Sequence, residues 1–309
     1  MTTQFKLAAA LILSGLIVAG CQKPAEKAQA PAAPAVQPTA SVDVYPFTIG
    51  ALQAVALKDG DLVLDNAKGQ SPWADNAGVA EVLRPTGDTK IHLSIQPLLI
   101  RGDDKVVLID TGAGGGMGTQ GKLSASLAAA GVQPGQVTDI LISHGHGDHV
   151  GGLVKNDALV FPNATIRMSA AEWTALQADA EQAALIPIIT PRVETFEPGA
   201  QVTPSITAVS LQGHTPGHTG YEIVSGQDRL LYFGDALHSS VISVERPDFV
   251  NAWDFNSEAA VATRLALLGR GATQTLRVYG VHFPFPGLGT FRRQADGFVW
   301  VPESAPAQP

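Results

Sequence analysis

The sequence predicts an α/β protein built from packed layers of strands and helices. Three observations carry this. Apolar, β-branched runs of strand length recur along the chain, Ala- and Leu-rich stretches of helical character lie between them, and the two kinds alternate. With 309 residues, 45% of them hydrophobic and 16% charged, the chain suffices for one large domain around a substantial core.

The N-terminal segment reads as an address. Lys6 supplies a weak positive region, and residues 7–18 form an apolar run shorter than a comfortable bilayer span. The run ends in Val18-Ala19-Gly20-Cys21. Small residues there suit a signal peptidase, and the Cys directly after them resembles a bacterial lipobox, in which that Cys is lipidated and becomes the mature N-terminus. The alternative is an ordinary signal peptide with a chance Cys. Residues 21–41 carry Cys21 and an Ala/Pro/Gln-rich tether that cannot bury a core. The expected division is therefore 1–20 signal peptide, 21–41 tether, 42–301 folded domain and 302–309 frayed tail. Export with a lipid anchor at the periplasmic side of the envelope follows. Gln22 lacks the Asp character that retains such proteins at the inner membrane, which favours the outer one in a Gram-negative cell. Cys21 is the sole cysteine, so no intramolecular disulfide forms and no thiolate is offered to a metal. The formal charge of −8 argues against a nucleic-acid partner.

Within the domain, residues 60–88 read as a long irregular stretch, either functional or a plain surface excursion. Residues 91–100, 105–109, 140–143, 205–211 and 229–233 read as strands, with His92 a structural member of the first. Residues 123–130 read as a helix stopped by Gly131. Residues 170–184 read as another, begun by Ser169 as N-cap and ended before Pro187, and residues 258–268 as a third stopped by Gly269. Gly116-Met117-Gly118-Thr119-Gln120-Gly121 imitates a dinucleotide-binding loop. With Lys122 it nearly imitates a phosphate loop, but Leu123 stands where magnesium would need Ser or Thr.

The strongest chemical signal is Ser143-His144-Gly145-His146-Gly147-Asp148-His149, directly after an apolar strand. Three imidazoles and a carboxylate at a strand end suit Zn²⁺ and its neighbours, and Gly145 and Gly147 are expected to ease a tight bend. Three further pieces follow. Gly213-His214-Thr215-Pro216-Gly217-His218-Thr219 comes after one strand-like run. Leu231-Tyr232-Phe233-Gly234-Asp235 and Val278-Tyr279-Gly280-Val281-His282 each end a run in a potential ligand. C-terminal strand tips are where open α/β sheets place their sites.

Taken together, H-x-H-x-D-H, a distant GHTPGHT, a Gly-Asp after a strand and a late His resemble the metallo-β-lactamase superfamily, over residues 91–289. The resemblance implies a four-layer αββα sandwich with two divalent metal ions, zinc first and manganese, iron or cobalt as alternatives. It implies His144, His146 and His214 on one ion, Asp148, His149 and His282 on the other, and Asp235 between them. An anionic bridge also answers the repulsion of two close dications. Asp110, in an Asp-Thr-Gly turn, is expected to orient a ligand His, or to be a plain turn carboxylate. His218 is read as a supporting residue rather than a ligand.

The superfamily spans β-lactamases, lactonases, thioesterases, phosphotriesterases, nucleases and redox proteins, and fold alone does not choose among them. Asp235 departs from the zinc β-lactamases, which lack that carboxylate. His146 departs from the diiron redox branch, which has Glu there. Residues 108–113, Phe161-Pro162-Asn163-Ala164, GHTPGHT and His282-Phe283-Pro284-Phe285-Pro286-Gly287 are similar to the methyl parathion hydrolase–like branch. The resemblance implies an exported hydrolase with a small-molecule ester, lactone or phosphotriester substrate, in which Asp148 and Asp235 serve the catalytic metals. β-Lactam hydrolysis and an inactive metal-binding lipoprotein are the alternatives. His238, where lactonases commonly carry Tyr, reads either as an acid near neutral pH or as a packing residue. Trp173, Phe283 and Phe285 are candidates to line an apolar pocket, against the ordinary expectation that aromatics are core.

Overall fold

The structure is a computed structural model and describes residues 1–2 and 41–303. The expectations for the leader, for Cys21 and nearly all of the tether, and for the end of the tail lie outside the described residues.

Two seven-stranded sheets form the body. The first runs, in spatial order, Val44–Ile49, Leu52–Leu57, Leu98–Gly102, Lys105–Ile109, Asp139–Leu141, Thr165–Ser169, Val193–Phe196. The second runs Gln201–Thr203, Ile206–Ser210, Thr219–Ser225, Asp228–Tyr232, Arg277–Tyr279, Leu288–Gln294, Gly297–Pro302. Their inner faces share one core, in which Leu98, Ile100, Val107 and Ile109 of the first sheet meet Ile206, Tyr221, Ile223 and Tyr232 of the second. Alternate residues point the other way: Leu99 and Leu108 join Leu123, Leu127 and Leu176 beneath the helices Leu123–Ala129 and Ala170–Ala178. On the far side Leu231, Phe233 and Phe291 pack with Leu267 and Leu268 of the helix Ser257–Gln274. The result is helix, sheet, sheet, helix. Central strands buried on both faces explain why they read as continuous apolar runs rather than alternating ones.

Several boundaries differ from the sequence reading, each for a local reason. The run 91–100 is two strands. Gln96-Pro97 divides it, because Pro97 has no N–H to give a ladder. Lys90–Ile95 pairs with Gly60–Asp65 in a separate two-stranded ribbon, while Leu98–Gly102 enters the first sheet. Residues 60–88 are accordingly not one irregular stretch. They hold the strand Gly60–Asp65 and the helix Asn76–Leu83, capped by Asp75 accepting from the Gly78 N–H at 2.8 Å. Around them Trp73, Val79, Leu83, Ile91, Leu93, Ile242 and Phe249 form a small satellite core. The helix expected to stop at Gly269 continues to Gln274. Gly271 is needed inside it because a Cβ there would meet the Phe291 ring at 2.8 Å, and Thr275 ends it in the left-handed region at φ 49°. The helix begun by Ser169 ends at Ala178, followed by a 3-10 turn at Ala180–Gln182.

Candidate metal centre

The chemistry-bearing residues collect at one edge of both sheets. Lys105–Ile109 runs parallel to Asp139–Leu141, and Asp228–Tyr232 runs parallel to Arg277–Tyr279. Asp110, His144, Asp235 and His282 therefore follow strand ends on the same side, and His214 follows Ile206–Ser210. Asp148 and His149 sit on the single helical turn Gly147–Val150. The strand Arg277–Tyr279 stops short of His282, which lies in the turn beyond it rather than on the strand.

Three ring nitrogens meet on one side of Asp235. His146 Nδ1 lies 3.0 Å from His144 Nε2 and 2.9 Å from His214 Nε2. Asp235 Oδ2 is 3.7 Å from His144 Nε2 and 3.4 Å from His214 Nε2. Its other oxygen, Oδ1, is 3.3 Å from His149 Nε2 and 3.1 Å from His282 Nε2. Asp148 completes that second group, with Oδ2 3.5 Å from His282 Nε2 and Oδ1 3.7 Å from His149 Nε2. One carboxylate thus faces both clusters, and its Oδ2 also lies 3.3 Å from His282 Nε2.

Hydrogen bonds behind the rings settle which nitrogens carry protons. His149 Nδ1 donates to Asp110 Oδ2 at 2.7 Å, and His282 Nδ1 donates to the Ser94 carbonyl at 2.8 Å. His214 Nδ1 donates to Asp254 Oδ1 at 3.1 Å. Ser143 Oγ gives its proton to Asp110 Oδ2, so it accepts from His144 Nδ1 at 3.1 Å. In the neutral form of all four rings it is Nε2 that faces inward with its lone pair; in His282 that nitrogen lies within hydrogen-bond distance of Asp235 Oδ2, at 3.3 Å. His149 Nε2 and Asp235 Oδ1 are buried without a hydrogen-bond partner. Lone pairs and carboxylates converging in a dry place repel unless a cation lies among them. The donor set (imidazole nitrogens and carboxylate oxygens in groups of four and three) fits two divalent metal ions.

Electrostatics divide the rings by their neighbours. Burial drives the His144 and His214 imidazoles well below the usual histidine range, so both stand neutral as ligands must. Burial alone would depress His149 too, but Asp235, Asp148 and Asp110 outweigh it and hold it well above that range, so among these carboxylates the ring takes a second proton, on Nε2, that a bound cation would have to displace. Burial would raise Asp235, yet His282, His149, His238 and His144 keep its carboxyl well below the usual carboxylate range.

Asp110 is no idle turn residue. Its carboxylate accepts from the Ser143 N–H, the Ser143 hydroxyl, His149 and the Tyr232 hydroxyl, each at 2.7 Å. Its backbone sits in the left-handed region at φ 60°, a strained place for a non-glycine residue. His218 supports from behind: Nδ1 donates to the Leu211 carbonyl and Nε2 accepts the Asp235 N–H, both at 2.9 Å. Gly145 has ordinary φ, so its smallness serves packing instead of bending; a Cβ there would meet Leu176 Cδ1 at 2.7 Å.

A cavity of about 380 Å³ opens onto the cluster, lined by His146, Asp148, His214, Asp235 and His282 with Leu62, Leu93, Met117 and Trp253 as its apolar wall. The three aromatics expected there are elsewhere. Phe283 is fully buried against Phe233 and Trp300. Phe285 packs on the core between the sheets, and Trp173 packs under the first sheet's helices. Phe283 and Phe285 closely follow a ligand His in sequence, yet Phe283 is core and the half-buried Phe285 and Trp173 pack against core clusters away from the cavity. His238 is also one layer back: it is buried, its Nε2 lies 3.2 Å from Asp235 Oδ2, and its ring packs against Trp253. It does not line the cavity, so a direct role on the substrate does not fit. His92 is exposed at the surface, paired with Asp88 at 2.9 Å. A larger hollow of about 550 Å³ at Thr48, Asp228, Arg229 and Arg277 lies at the opposite end of the same strands and holds no imidazole.

Sequence reasoning missed Trp253, Met117, Asp254 and Glu172. Glu172 ties the two His loops together, accepting from the Gly145 N–H at 2.7 Å, the Thr215 hydroxyl at 2.6 Å and the Gly217 N–H at 3.0 Å. Its only sequence signal was its position three residues after the Ser169 cap. Trp253 and Asp254 sit in a loop with no motif.

The family model for the metallo-β-lactamase superfamily matches residues 93–282, the span that carries every one of these ligands. The chain belongs to the metallo-β-lactamase superfamily. Among solved structures it is similar to AidC, a dizinc quorum-quenching lactonase in complex with a product, at 31% identity and TM-score 0.79 over 85% of this chain and 98% of that one. It is likewise similar to the hydrolase AbOPH, at 27% identity and TM-score 0.79 over 87% of this chain and all of that one. A probable metal-dependent hydrolase from Staphylococcus aureus shares the fold, at 19% identity and TM-score 0.70 over 84% of this chain and all of that one. No curated protein matches.

Proposed function

We propose that the chain is a metal-dependent hydrolase of ester-type bonds in small molecules, acting on lactones, with aryl phosphotriesters as a secondary class. The observation that carries this is the convergence of inward-facing ring nitrogens and two carboxylates on the floor of an apolar-walled cavity. Likeness to a lactonase at 31% identity supports the substrate class. His144, His146 and His214 would hold one cation, Asp148, His149 and His282 the other, and Asp235 would serve both. When bound, the two divalent ions, zinc by donor type with manganese, iron or cobalt as alternatives, acidify a water and polarise the scissile carbonyl.

The chain's own residues do the rest. Leu62, Leu93, Met117 and Trp253 wall one side of the cavity and offer an apolar substituent somewhere to lie. Asp110, Ser143, Asp254 and the Ser94 carbonyl keep proton-bearing nitrogens turned away from the reacting centre. Asn251 Oδ1 accepts from the Trp253 N–H at 2.9 Å, so its Nδ2 faces His238 Nδ1 at 3.3 Å. The His238 proton therefore sits on Nε2, which lies 3.2 Å from Asp235 Oδ2 without making a hydrogen bond, so His238 packs beside Asp235 rather than holding it. The domain is further proposed to be exported and tethered to the envelope through a lipidated Cys21.

The test is metal analysis of the purified domain, followed by turnover of N-acyl homoserine lactones, aryl phosphotriesters, thioesters and cephalosporins. Lactones should be hydrolysed fastest. Chelation should abolish turnover, and a divalent transition metal should restore it. Asp235→Asn should lower kcat by at least about a hundredfold while the fold survives. Chelator-resistant hydrolysis, or cephalosporins as best substrates, would refute the reading.

A further inference from the structure

Two buried side chains stand behind His214 with no part in either cluster. The Asp254 side chain is 1% exposed; its Oδ1 accepts from His214 Nδ1 at 3.1 Å, and its Oδ2 accepts from Arg264 Nη2 at 2.5 Å. Arg264 is 1% exposed and lies within the long helix Ser257–Gln274, where a second nitrogen, Nη1, donates to the Phe249 carbonyl at 3.2 Å. A guanidinium and a carboxylate are expensive to bury, and removing either strands the other. The loop that carries Asp254 is also sewn to the His214 loop through backbone. The Phe255 N–H donates to the His214 carbonyl at 3.0 Å and the Asn256 N–H to the Gly213 carbonyl at 2.9 Å.

The consequence lies in the tautomer. With its proton on Nδ1, held by Asp254, His214 presents a lone pair at Nε2. With the proton on Nε2 instead, His214 would donate to His146 Nδ1, only 2.9 Å away. That single proton shift would occupy two of the three inward nitrogens of the cluster at once. His144 and His149 are protected from such an error by Ser143 and Asp110. For His214 the guard is Asp254, and Asp254 is kept in place from the outer helix layer. We propose that Asp254, clamped by Arg264, is the positioning residue for His214, and that the pair sets the occupancy of the cation site formed by His144, His146 and His214. This rests on the two-cation reading above.

The experiment titrates the metal-free protein with Co²⁺ and follows the visible ligand-field bands and the bound stoichiometry. Wild type should take up two ions. Asp254→Ala should bind one of the two about 10- to 100-fold more weakly, with a changed visible spectrum for that ion and an unchanged one for the other. Asp254→Asn keeps the volume and a carbonyl acceptor without the charge, and should fall between the two. Arg264→Met should reproduce the Asp254→Ala spectrum, and Arg264→Lys should restore the second ion in part. Should Asp254→Ala fail to fold, Asp254→Asn and the Arg264 pair carry the same comparison. Two ions bound with wild-type affinity and spectrum in Asp254→Asn and Arg264→Met, with only the melting temperature lowered, would assign the pair a purely structural role and overturn the proposal. A wild type that takes up fewer than two ions would instead overturn the two-cation reading beneath it.

Discussion

His218 shows how one motif can hold two histidines with different work. Both sit in GHTPGHT, yet His214 points into the cluster and His218 holds the Asp235 backbone from behind. Because His218 is buried without a carboxylate partner of its own, burial lowers its pKa from 6.5 to about 4. The sign of the pH effect follows. Above pH 6.5 the ring is neutral both folded and unfolded, and its stabilising contribution is complete. Between pH 6.5 and about 4 the unfolded chain takes up a proton that the folded one refuses, so stability falls as pH falls. The whole window is worth roughly 3 kcal/mol for this ring. Urea unfolding of the metal-free domain across that window should show the decline. His218→Gln should make the decline shallower, leaving the share that His144 and His214 contribute with the same sign, at some cost in stability at pH 7, and an undiminished slope in that variant would rule His218 out as a contributor.

At the scale of elements, the long helix Ser257–Gln274 separates two kinds of glycine. Gly269 has open space around the position of a Cβ and ordinary helical geometry. Gly269→Ala should therefore stabilise the domain by about 0.5–1 kcal/mol, through helix propensity alone. Gly271 lies against Phe291 of the second sheet, 2.8 Å from a would-be Cβ. Gly271→Ala should destabilise by about 1–3 kcal/mol, because the helix must lift off the sheet or the ring must leave its rotamer. Denaturant midpoints of the two variants should move in opposite directions. The same helix carries Arg264, so Gly271→Ala also tests whether lifting it disturbs the centre from outside.

For the molecule as a whole, the ester-type hydrolase reading joins a body that houses the centre to an N-terminal segment read as an anchor. Among the described residues no helix is long and apolar enough to cross a membrane. Attachment is proposed to depend on the acyl groups at Cys21, since two or more chains are needed for stable anchoring. Cys21→Ser, expressed in a Gram-negative host, should shift the protein from the membrane pellet to the soluble fraction and leave its hydrolytic rate unchanged. Retention in the pellet without label from a radioactive fatty acid would dispose of the anchor.

Local spacing was enough to read much of this. His144, His146, Asp148 and His149 lie within six residues, and a run so dense in metal-ligating side chains announces its chemistry in one dimension. The alternation of apolar runs and helical stretches likewise sufficed for the layered class, since layers follow from what each element must bury. It did not place the break at Gln96-Pro97 or the ribbon of Gly60–Asp65 with Lys90–Ile95, because pairing partners are chosen across the fold. Nor did it find Asp254 and Arg264, which meet His214 only when the outer helix closes over the second sheet. Aromatics beside a motif could not be sorted into wall or core: Phe283 went inward and the motif-free Trp253 took the wall. The sequence by itself determined the donor atoms and the order in which they occur. Which way each ring turns, where its proton rests and what encloses the cavity were decided by tertiary packing, because those depend on contacts between residues far apart in the chain.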